Sequence, residues 1–488
     1  MQSTVRDMVT RSSRAAASFL FALLAVMGSL SAIAQVPGQG SFTLSGSLAG
    51  VRAEHTATLL NDGHVLVVGG GKGPDLIDGF DVVPGAELFD PVTGSFAPAG
   101  ISWHDYHTAT LLQSGQVLIA GGESSAFVLT TTADLYDPAN RGFHQTGNMA
   151  FGREYHTATL LKDGRVLIAG GEWTNGIEWE SLPFAEIYDP ATGAFSVTGS
   201  LNEARFAHTA TLLPDGRVLI TGGFSNSANN IASAEIYDPA TGSFTYTGSM
   251  AVPRSSHTAT QLLNGQVLIA GGSDSATSEV YNPATNSFQS VGSMTTARSS
   301  HTATALADGT VLIAGGGWSF PSSPASAEIY DPASGMFSRT ADMNSGRFMH
   351  TATLLSDGSV IVIGGASTPD DMHLNFINAA EVYKASNPRG LISASPNPCT
   401  LSGSLCTSYI NWTTSGISNA QVWVRIGNGP ESLFAAALQC SNADCPAPWI
   451  GGNNSIYTFT MYDCSSLECS YVSHSNAPVI ASVLVGGR

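Results

Sequence analysis

Histidines are the residues of this sequence whose type and spacing first suggest chemistry. The tetrapeptide His-Thr-Ala-Thr occurs seven times, with its histidines at His55, His107, His156, His208, His257, His301 and His350. An arginine stands three residues before the histidine in six of these copies, and an acidic residue follows later in every copy. Imidazole, guanidinium and carboxylate groups could together bind a metal ion, hold an acidic ligand or transfer protons.

The spacing of the histidines reveals a repeat, with six intervals of about 49 residues each. In the fifth copy, four strand-length runs lie at residues 257–263, 267–270, 278–281 and 288–294, separated by Gly, Asn and Pro. The first turn, Asn264-Gly265, suits a tight hairpin because both central residues need a positive φ. Each repeat is therefore predicted to be a four-stranded antiparallel meander.

The phase of the repeats predicts how the array closes. The seventh copy lacks a fourth run, whereas residues 40–48 match the fourth run at residues 242–250. We therefore expect an all-β fold, a seven-bladed β-propeller of four-stranded antiparallel blades closed by an N-terminal strand, with a C-terminal β-sandwich. The predicted propeller spans residues 35–386 and the predicted sandwich residues 387–488.

The repeats carry a glycine pair after the second run, followed by Ala-Glu-Ile-Tyr-Asp-Pro at 185–190, 234–239 and 327–332. This pattern resembles the kelch repeat of β-propellers, including the central domain of the galactose-oxidase family, over about residues 40–386. The resemblance implies a fold rather than a function. Copper-radical oxidases of that family need a cysteine cross-linked to a tyrosine, and the predicted propeller contains no cysteine. The resemblance therefore does not imply their activity, and we expect no cofactor.

The N-terminal residues 1–34 have the features of a signal peptide. Arg6, Arg11 and Arg14 precede an apolar run, and Ala32-Ile33-Ala34 forms a small-residue cleavage site. The alternative is an uncleaved N-terminal anchor. Cleavage would leave a secreted or periplasmic protein with no membrane span.

The cysteines are confined to the C-terminal hundred residues. They are Cys399, Cys406, Cys440, Cys445, Cys464 and Cys469. An even number behind a secretion signal indicates disulfides, and the short spacings favour pairs 399–406, 440–445 and 464–469. A zinc site is the alternative, although C-x₂-C spacing is absent. The strand-like runs of this region suggest an immunoglobulin-like β-sandwich.

The arginines before the histidines allow two interpretations. They are Arg52, Arg153, Arg205, Arg254, Arg298 and Arg347, with His104 in the equivalent place of the second repeat. One interpretation is an ion pair with a neighbouring blade at the rim, and the other is a cationic collar for a carboxylate or an acidic peptide. For the histidines, we expect contacts with the acid of the third strand across the glycine pair, which forms a structural lattice rather than a metal ring.

Sequence variety is concentrated on one face of the predicted propeller, in the loops after Gly-Gly and before His-Thr-Ala-Thr. Variable loops on a rigid scaffold are where binding commonly resides. The candidate ligand-binding residues there, besides the six arginines and His104, are Glu54, Trp103, Glu123, Glu154, Tyr155, Glu172, Trp173, Phe224 and Trp318.

These features predict a binding or interaction protein whose partner is an extracellular glycan or protein. The alternative is a carbohydrate-active enzyme of the sialic-acid mutarotase or epimerase type, with Arg153, Glu154 and Glu172 holding an acidic sugar and moving protons. The formal net charge of −18 argues against nucleic acid as a partner. We expect a monomer with no catalytic residue and no metal site.

Overall fold

The computed structural model describes residues 40–73, 81–125, 128–174, 178–227, 229–273, 275–317, 323–368 and 374–385, together with the strands of the C-terminal region. Every regular element in these residues is a β-strand. The described residues include no helix long and apolar enough to span a membrane. The predicted signal peptide lies outside them.

Seven four-stranded antiparallel sheets form the blades. The first strands are Thr56–Leu59, Thr108–Leu111, Thr157–Leu160, Thr209–Leu212, Thr258–Gln261, Thr302–Ala305 and Thr351–Leu354. The second strands are Val65–Val68, Val117–Ala120, Val166–Ala169, Val218–Thr221, Val267–Ala270, Val311–Ala314 and Val360–Ile363. The third strands are Ala86–Asp90, Ala133–Asp137, Ala185–Asp189, Ala234–Asp238, Ser278–Asn282, Ala327–Asp331 and Ala379–Lys384. The fourth strands of blades one to six are Ser95–Pro98, Gly142–Gln145, Ala194–Val197, Ser243–Tyr246, Ser287–Ser290 and Met336–Arg339.

The hydrophobic core lies between the blades. The second strands are continuous apolar runs because both of their faces are buried, one against each neighbouring blade. One interblade cluster joins Leu219 and Ile236 of blade four to Val267, Ile269 and Tyr281 of blade five. Each apolar run thus fixes the position of its blade relative to the next one.

An aromatic pair secures the outer edge of the blades. In blade five, Tyr281 of the third strand lies opposite Phe288 of the fourth strand, with ring centroids 4.9 Å apart. The Tyr281 hydroxyl also forms a 3.0 Å hydrogen bond with the hydroxyl of Thr247 from the preceding blade. The tyrosine of the repeat therefore connects neighbouring blades as well as neighbouring strands.

The N-terminal strand Ser41–Ser47 closes the ring. It pairs antiparallel with Ala379–Lys384 of the seventh blade, with Phe42 opposite Tyr383. The prediction of closure by this segment is confirmed.

In the described residues, five blades carry a short hairpin in the connection between the second and third strands. These hairpins pair Gly71–Lys72 with Asp81–Val82, Glu123–Ser125 with Val128–Leu129, Glu172–Thr174 with Trp179–Ser181, Phe224–Ser225 with Asn229–Asn230, and Ala366–Ser367 with Asn375–Phe376. They belong to blades one to four and blade seven. The face that the sequence predicted to be variable is therefore walled by hairpins along most of its circumference.

The C-terminal region forms two further sheets. One sheet contains Arg389–Ser395, Leu405–Ser415, Gln439–Cys440 and Pro446–Gly451. The other sheet contains Ala420–Ile426, Glu431–Ala436, Ile456–Asp463 and Val479–Gly486. The β-rich character predicted for this region is confirmed, and the immunoglobulin-like sandwich stays a prediction. The cysteine side chains lie outside the described part of the structure.

Candidate functional site

The arginines of the repeats are buried inside their own blades. Arg298 is 0% exposed and donates hydrogen bonds to the carbonyl oxygens of Gly315 and Ser326 at 2.6 and 2.9 Å. It also donates to the Glu328 carboxylate at 3.0 Å. Equivalent ion pairs are Arg52–Glu87, Arg153–Glu186, Arg205–Glu235, Arg254–Glu279 and Arg347–Glu381. In each pair, the acid comes from the third strand of the same blade rather than from a neighbouring blade.

Blade two reaches the same arrangement with other residues. His104 bonds the Gly121 carbonyl oxygen through Nδ1 at 2.7 Å and lies 3.3 Å from the Asp134 carboxylate through Nε2. The pair His104–Asp134 thus replaces the Arg–Glu pair of the other blades. These guanidinium and imidazole groups link strands beneath the surface, so the geometry favours a structural role over a cationic collar.

The histidines of His-Thr-Ala-Thr form a ring around the central channel. Their Nε2 atoms are joined to threonine hydroxyls of the preceding blade at 2.8–3.1 Å. The bond between His55 and Thr351 closes the ring from the first blade to the seventh. Burial lowers the pKa of His257 to about 3, so this imidazole is neutral at physiological pH.

The prediction that these histidines contact the third-strand acids is wrong. The arginine side chain reaches the acid instead, while the histidine turns toward the channel. The glycine pair does leave room for a close approach, but the group that approaches it belongs to the next blade. Gly271 has a φ of +65°, and a Cβ there would lie 2.5 Å from the Arg298 carbonyl oxygen and 2.8 Å from Cε1 of His301. Glycine is needed because the next blade packs directly on it.

A ring of left-handed residues surrounds the mouth of this channel. The residue directly before each histidine has a φ between +49° and +56°, although none is glycine: Glu54, Tyr106, Tyr155, Ala207, Ser256, Ser300 and Met349. The backbone N–H of Ser256 donates to the Ala207 carbonyl oxygen at 3.0 Å, and the N–H of Ser300 donates to that of Ser256 at 3.0 Å. A backbone conformation that side chains rarely adopt is thus held in place by the neighbouring blade. We call these seven residues the mouth ring.

Two cavities that share lining residues lie at the mouth ring. The channel cavity, of about 320 Å³, is lined by the seven histidines and the mouth ring. The mouth cavity, of about 600 Å³, has Glu54, Tyr155, Glu172, Phe206 and Phe224 on one side. Its other lining residues are Ala207, Ser255, Ser256, Ser273, Ser299, Ser300 and Met349.

The sides of the mouth differ in chemistry because the same backbone bridge carries different residues in each blade. This bridge joins the residue two places before the histidine to the residue after Gly-Gly. It pairs Asp105 with Glu123 in blade two and Glu154 with Glu172 in blade three, but Phe206 with Phe224 in blade four. Two adjacent blades therefore place acidic residues at the mouth, and the next blade places aromatic rings there.

Burial raises the pKa values of four carboxyl groups at the mouth. It raises the pKa of Glu54 and of Glu172 to about 7. The pKa of Glu154 rises to about 9, because of burial and then repulsion from Glu123, Glu172, Asp105 and Glu54. Burial and the nearby Glu54 and Glu123 carboxylates also raise the pKa of Asp105 well above its usual range. We call Glu54, Asp105, Glu123, Glu154 and Glu172 the acidic cluster.

We expect stability to fall as the pH rises from 6 to 9, because the folded cluster must ionise without water. A carboxyl whose pKa is raised on folding stabilises the protein below its unfolded pKa, about 4.3, and this contribution is lost as the pH rises through the folded value. Glu154→Gln should flatten the decline in thermal unfolding temperature between pH 6 and 9. The exposed Glu180, on the same blade, supplies the matched control Glu180→Gln. Equal slopes for the two variants would contradict the assignment.

The structure places the predicted site residues in different surroundings. Glu54, Tyr155, Glu172 and Phe224 line the mouth cavity. Glu123 and Glu154 belong to the bridges beside it, Trp173 is half-buried in the hairpin of blade three, and Trp103 is 56% exposed. The six arginines and His104 lie buried beneath the mouth. Trp318 lies outside the described residues.

The sequence analysis did not single out Phe206, Ala207, Ser256, Ser300 or Met349 as site residues. Their residue types share nothing that a pattern search would recognise. The signal is positional, since the residue before the histidine varies while the histidine does not.

Comparison with known families identifies the repeats. Residues 205–251, which begin at Arg205 and include the fourth blade's strands, match the family described as the Kelch motif. The fourth repeat of the propeller is therefore similar to the kelch motif, and the other six repeats share its strand order. No curated protein matches the chain.

Among solved structures, the kelch propeller resembles a fungal alcohol oxidase described as having catalytic diversity among the AA5 family, in complex with copper. The TM-score is 0.60 with 15% sequence identity, and the match covers 92% of this chain and 99% of the oxidase chain. A likeness at this identity concerns the fold alone. The described residues contain no group of three or more His, Cys, Asp or Glu side chains placed to hold a metal ion. The described side chains therefore do not fit the copper of the oxidase.

Proposed function

We propose that this kelch propeller is a secreted binding protein that holds an extracellular glycan or peptide at the mouth of its channel. The kelch fold supplies a binding or interaction scaffold. The observation that carries the proposal is the contrast between a nearly invariant lattice and a varied mouth. The arginine, histidine and glycine positions repeat from blade to blade, whereas the mouth ring contains an acid, two tyrosines, an alanine, two serines and a methionine.

The mouth cavity supports this proposal by its size and its lining. About 600 Å³ is within the usual range for a small-ligand pocket. Tyr155, Phe206 and Phe224 offer aromatic surface, with ring centroids 6.2 Å apart for the first two and 5.3 Å apart for the last two. Serine hydroxyls on the other side offer hydrogen bonds. Aromatic surface beside polar groups suits a sugar ring or a peptide side chain.

The sialic-acid enzyme alternative gains no support from this geometry. It requires Arg153 to help hold an acidic sugar, but this side chain is 0% exposed and bonded to Glu186 and to three backbone carbonyl oxygens. The Arg153 guanidinium therefore links strands beneath the mouth and does not face the mouth cavity.

The test is a paired glycan and peptide array screened with the secreted protein. We expect at least one probe to bind, and Phe224→Ala to weaken that probe's binding by about tenfold or more, as expected for an aromatic anchor. The control is Val92→Ala, which changes a 93% exposed side chain in a turn on the opposite face. Equal losses from the two variants, or no binding by any probe of either class, would count against the proposal.

A further inference from the structure

The acidic cluster contains carboxylate oxygens that have no partner. Asp105 is 0% exposed and Glu154 is 4% exposed. Asp105 Oδ2 and Glu154 Oε2 are buried without a hydrogen-bond partner. A buried polar atom normally has one, and leaving it alone costs about 1–3 kcal/mol. Two adjacent blades therefore each contain a buried carboxyl oxygen that lacks a hydrogen-bond donor.

The charges around Glu154 point to what is missing. The largest electrostatic effects on it come from Glu123, Glu172, Asp105 and Glu54, and all four are acids. The nearest arginines of blades one and three are already bonded to Glu87 and Glu186. The phenols of Tyr106 and Tyr155 also face the cluster, with ring centroids 4.9 Å apart. The acidic groups around Glu154 therefore disfavour its charged form.

From this geometry we infer that the mouth binds a ligand through an organic cation, an alkylammonium or guanidinium group, held by Glu54, Glu154 and Glu172. The inference rests on the proposed function and specifies the ligand of the same site. A cation among these carboxylates would replace repulsion by attraction and would give the orphaned Glu154 oxygen a donor. A metal ion is a poorer match, because the described residues form no metal-binding group.

The neighbouring aromatic rings suit the rest of such a ligand. Tyr155, Phe206 and Phe224 continue from the acidic side of the mouth toward blade four. The methylene stem of a lysine or arginine packs on apolar surface while its charged end stays with polar groups, and a cation over a ring face is attracted by it. The serine side of the cavity, at Ser255, Ser256 and Ser273, leaves space for the remainder of the ligand.

The experiment is calorimetric titration of the full secreted chain with trilysine, its Nε-acetylated form and spermidine. We expect trilysine or spermidine to bind at pH 8, with affinity at least tenfold higher than that of acetylated trilysine. The affinity should rise between pH 6 and pH 9, and binding should release protons, because the cation displaces them from carboxyl groups whose pKa values are raised. Tighter binding of trilysine indicates a peptide side chain as the source, and tighter binding of spermidine indicates a free polyamine.

Glu154→Gln should weaken this binding at least tenfold, although it should make the folded protein more stable at pH 8. A loss of binding in a variant of higher stability cannot be ascribed to unfolding. The control Glu180→Gln makes the same chemical change on the exposed hairpin of the same blade and should leave binding unchanged.

Equal binding of the acetylated and free peptides, absence of proton release, or full binding by Glu154→Gln would overturn the inference. Failure here is separable from failure of the proposed function. A neutral glycan or peptide that needs Phe224 but not Glu154 would leave the mouth as a binding site and exclude the cation. If no ligand requires Phe224 for binding, both the proposed function and the inference of a cationic ligand are contradicted.

Discussion

Arg298→Ala should lower the free energy of unfolding by about 3–5 kcal/mol, the range for removing one partner of a buried ion pair. Both Arg298 and Glu328 have fully buried side chains. Without the guanidinium, the Glu328 carboxylate would keep only its backbone donor, the N–H of Thr295 at 2.8 Å. The Gly315 carbonyl oxygen would also lose its guanidinium donor, and the Ser326 carbonyl oxygen would keep only the N–H of Gly315 at 3.3 Å. Denaturant unfolding of the wild type and the variant measures the difference.

The same blade supplies the control for this prediction. Arg339 pairs with Asp342 at 2.9 Å, but these side chains are 56% and 52% exposed. An exposed pair of this kind contributes about 0–1 kcal/mol, so Arg339→Ala should have little effect. The double variant Arg298→Met with Glu328→Leu should be more stable than Arg298→Ala, since no charge is left alone in the core. Equal effects of Arg298→Ala and Arg339→Ala would show that the buried pair does not hold the blade together.

The arginine substitutions also distinguish the two interpretations that the sequence allowed. If Arg298 only links strands, any loss of ligand binding in Arg298→Ala should follow the loss of folded protein. A variant that stays as stable as the wild type but no longer binds would instead support the cationic collar. The structure favours the first outcome because the guanidinium lies beneath the mouth rather than in it.

The fold could be predicted from the sequence because each blade repeats the same local signals. The glycine turn, the apolar second run and the tyrosine run recur in register, and the absence of a fourth run after Tyr383 indicated the closing strand. Contacts within the repeat were harder to assign. Arginine, histidine and acid recur together in almost every copy, so their spacing alone could not decide which of the two bases reaches the acid.

The site could be predicted only in part for a related reason. Glu54, Tyr155, Glu172 and Phe224 were found because charged and aromatic residues in variable loops attract attention. The left-handed backbone that turns Ala207, Ser256 and Met349 toward the channel depends on hydrogen bonds between blades. Such bonds leave no residue preference in the sequence. The acidic cluster was likewise hidden, since it forms only when the bridges of blades two and three come together.

Removal of the strand Ser41–Ser47 should cause the second large effect, the loss of most soluble monomeric protein. This strand is the outer edge of the seventh blade, and without it the edge of Ala379–Lys384 would present unpaired backbone groups. It also joins the blades on both sides. The N–H of Gly40 donates to Thr340 of blade six at 3.1 Å, and the N–H of Gly46 donates to the Gly94 carbonyl oxygen of blade one at 2.8 Å.

Chains that begin at Gly40 and at Leu48 differ only by this segment and should be compared by soluble yield and size-exclusion chromatography. The longer chain should elute as a monomer, and the shorter chain should be aggregated or absent. A shorter chain that is as soluble and as stable as the longer one would show that the ring does not depend on the N-terminal strand.

Point substitutions within the strand test whether its side-chain packing is needed in addition to its backbone pairing. The Phe42 ring lies 4.9 Å from that of Tyr383, whereas Leu44 is 66% exposed. Phe42→Asp should therefore destabilise the protein strongly by placing a charge against the aromatic pair, and Leu44→Asp should be tolerated. The N-terminal strand is the covalent link between the first blade and the last one, and it acts together with the His55–Thr351 bond and the apolar packing between these two blades. A peptide of residues 40–48 added to the shorter chain should restore soluble monomer if pairing at this edge is what closes the ring.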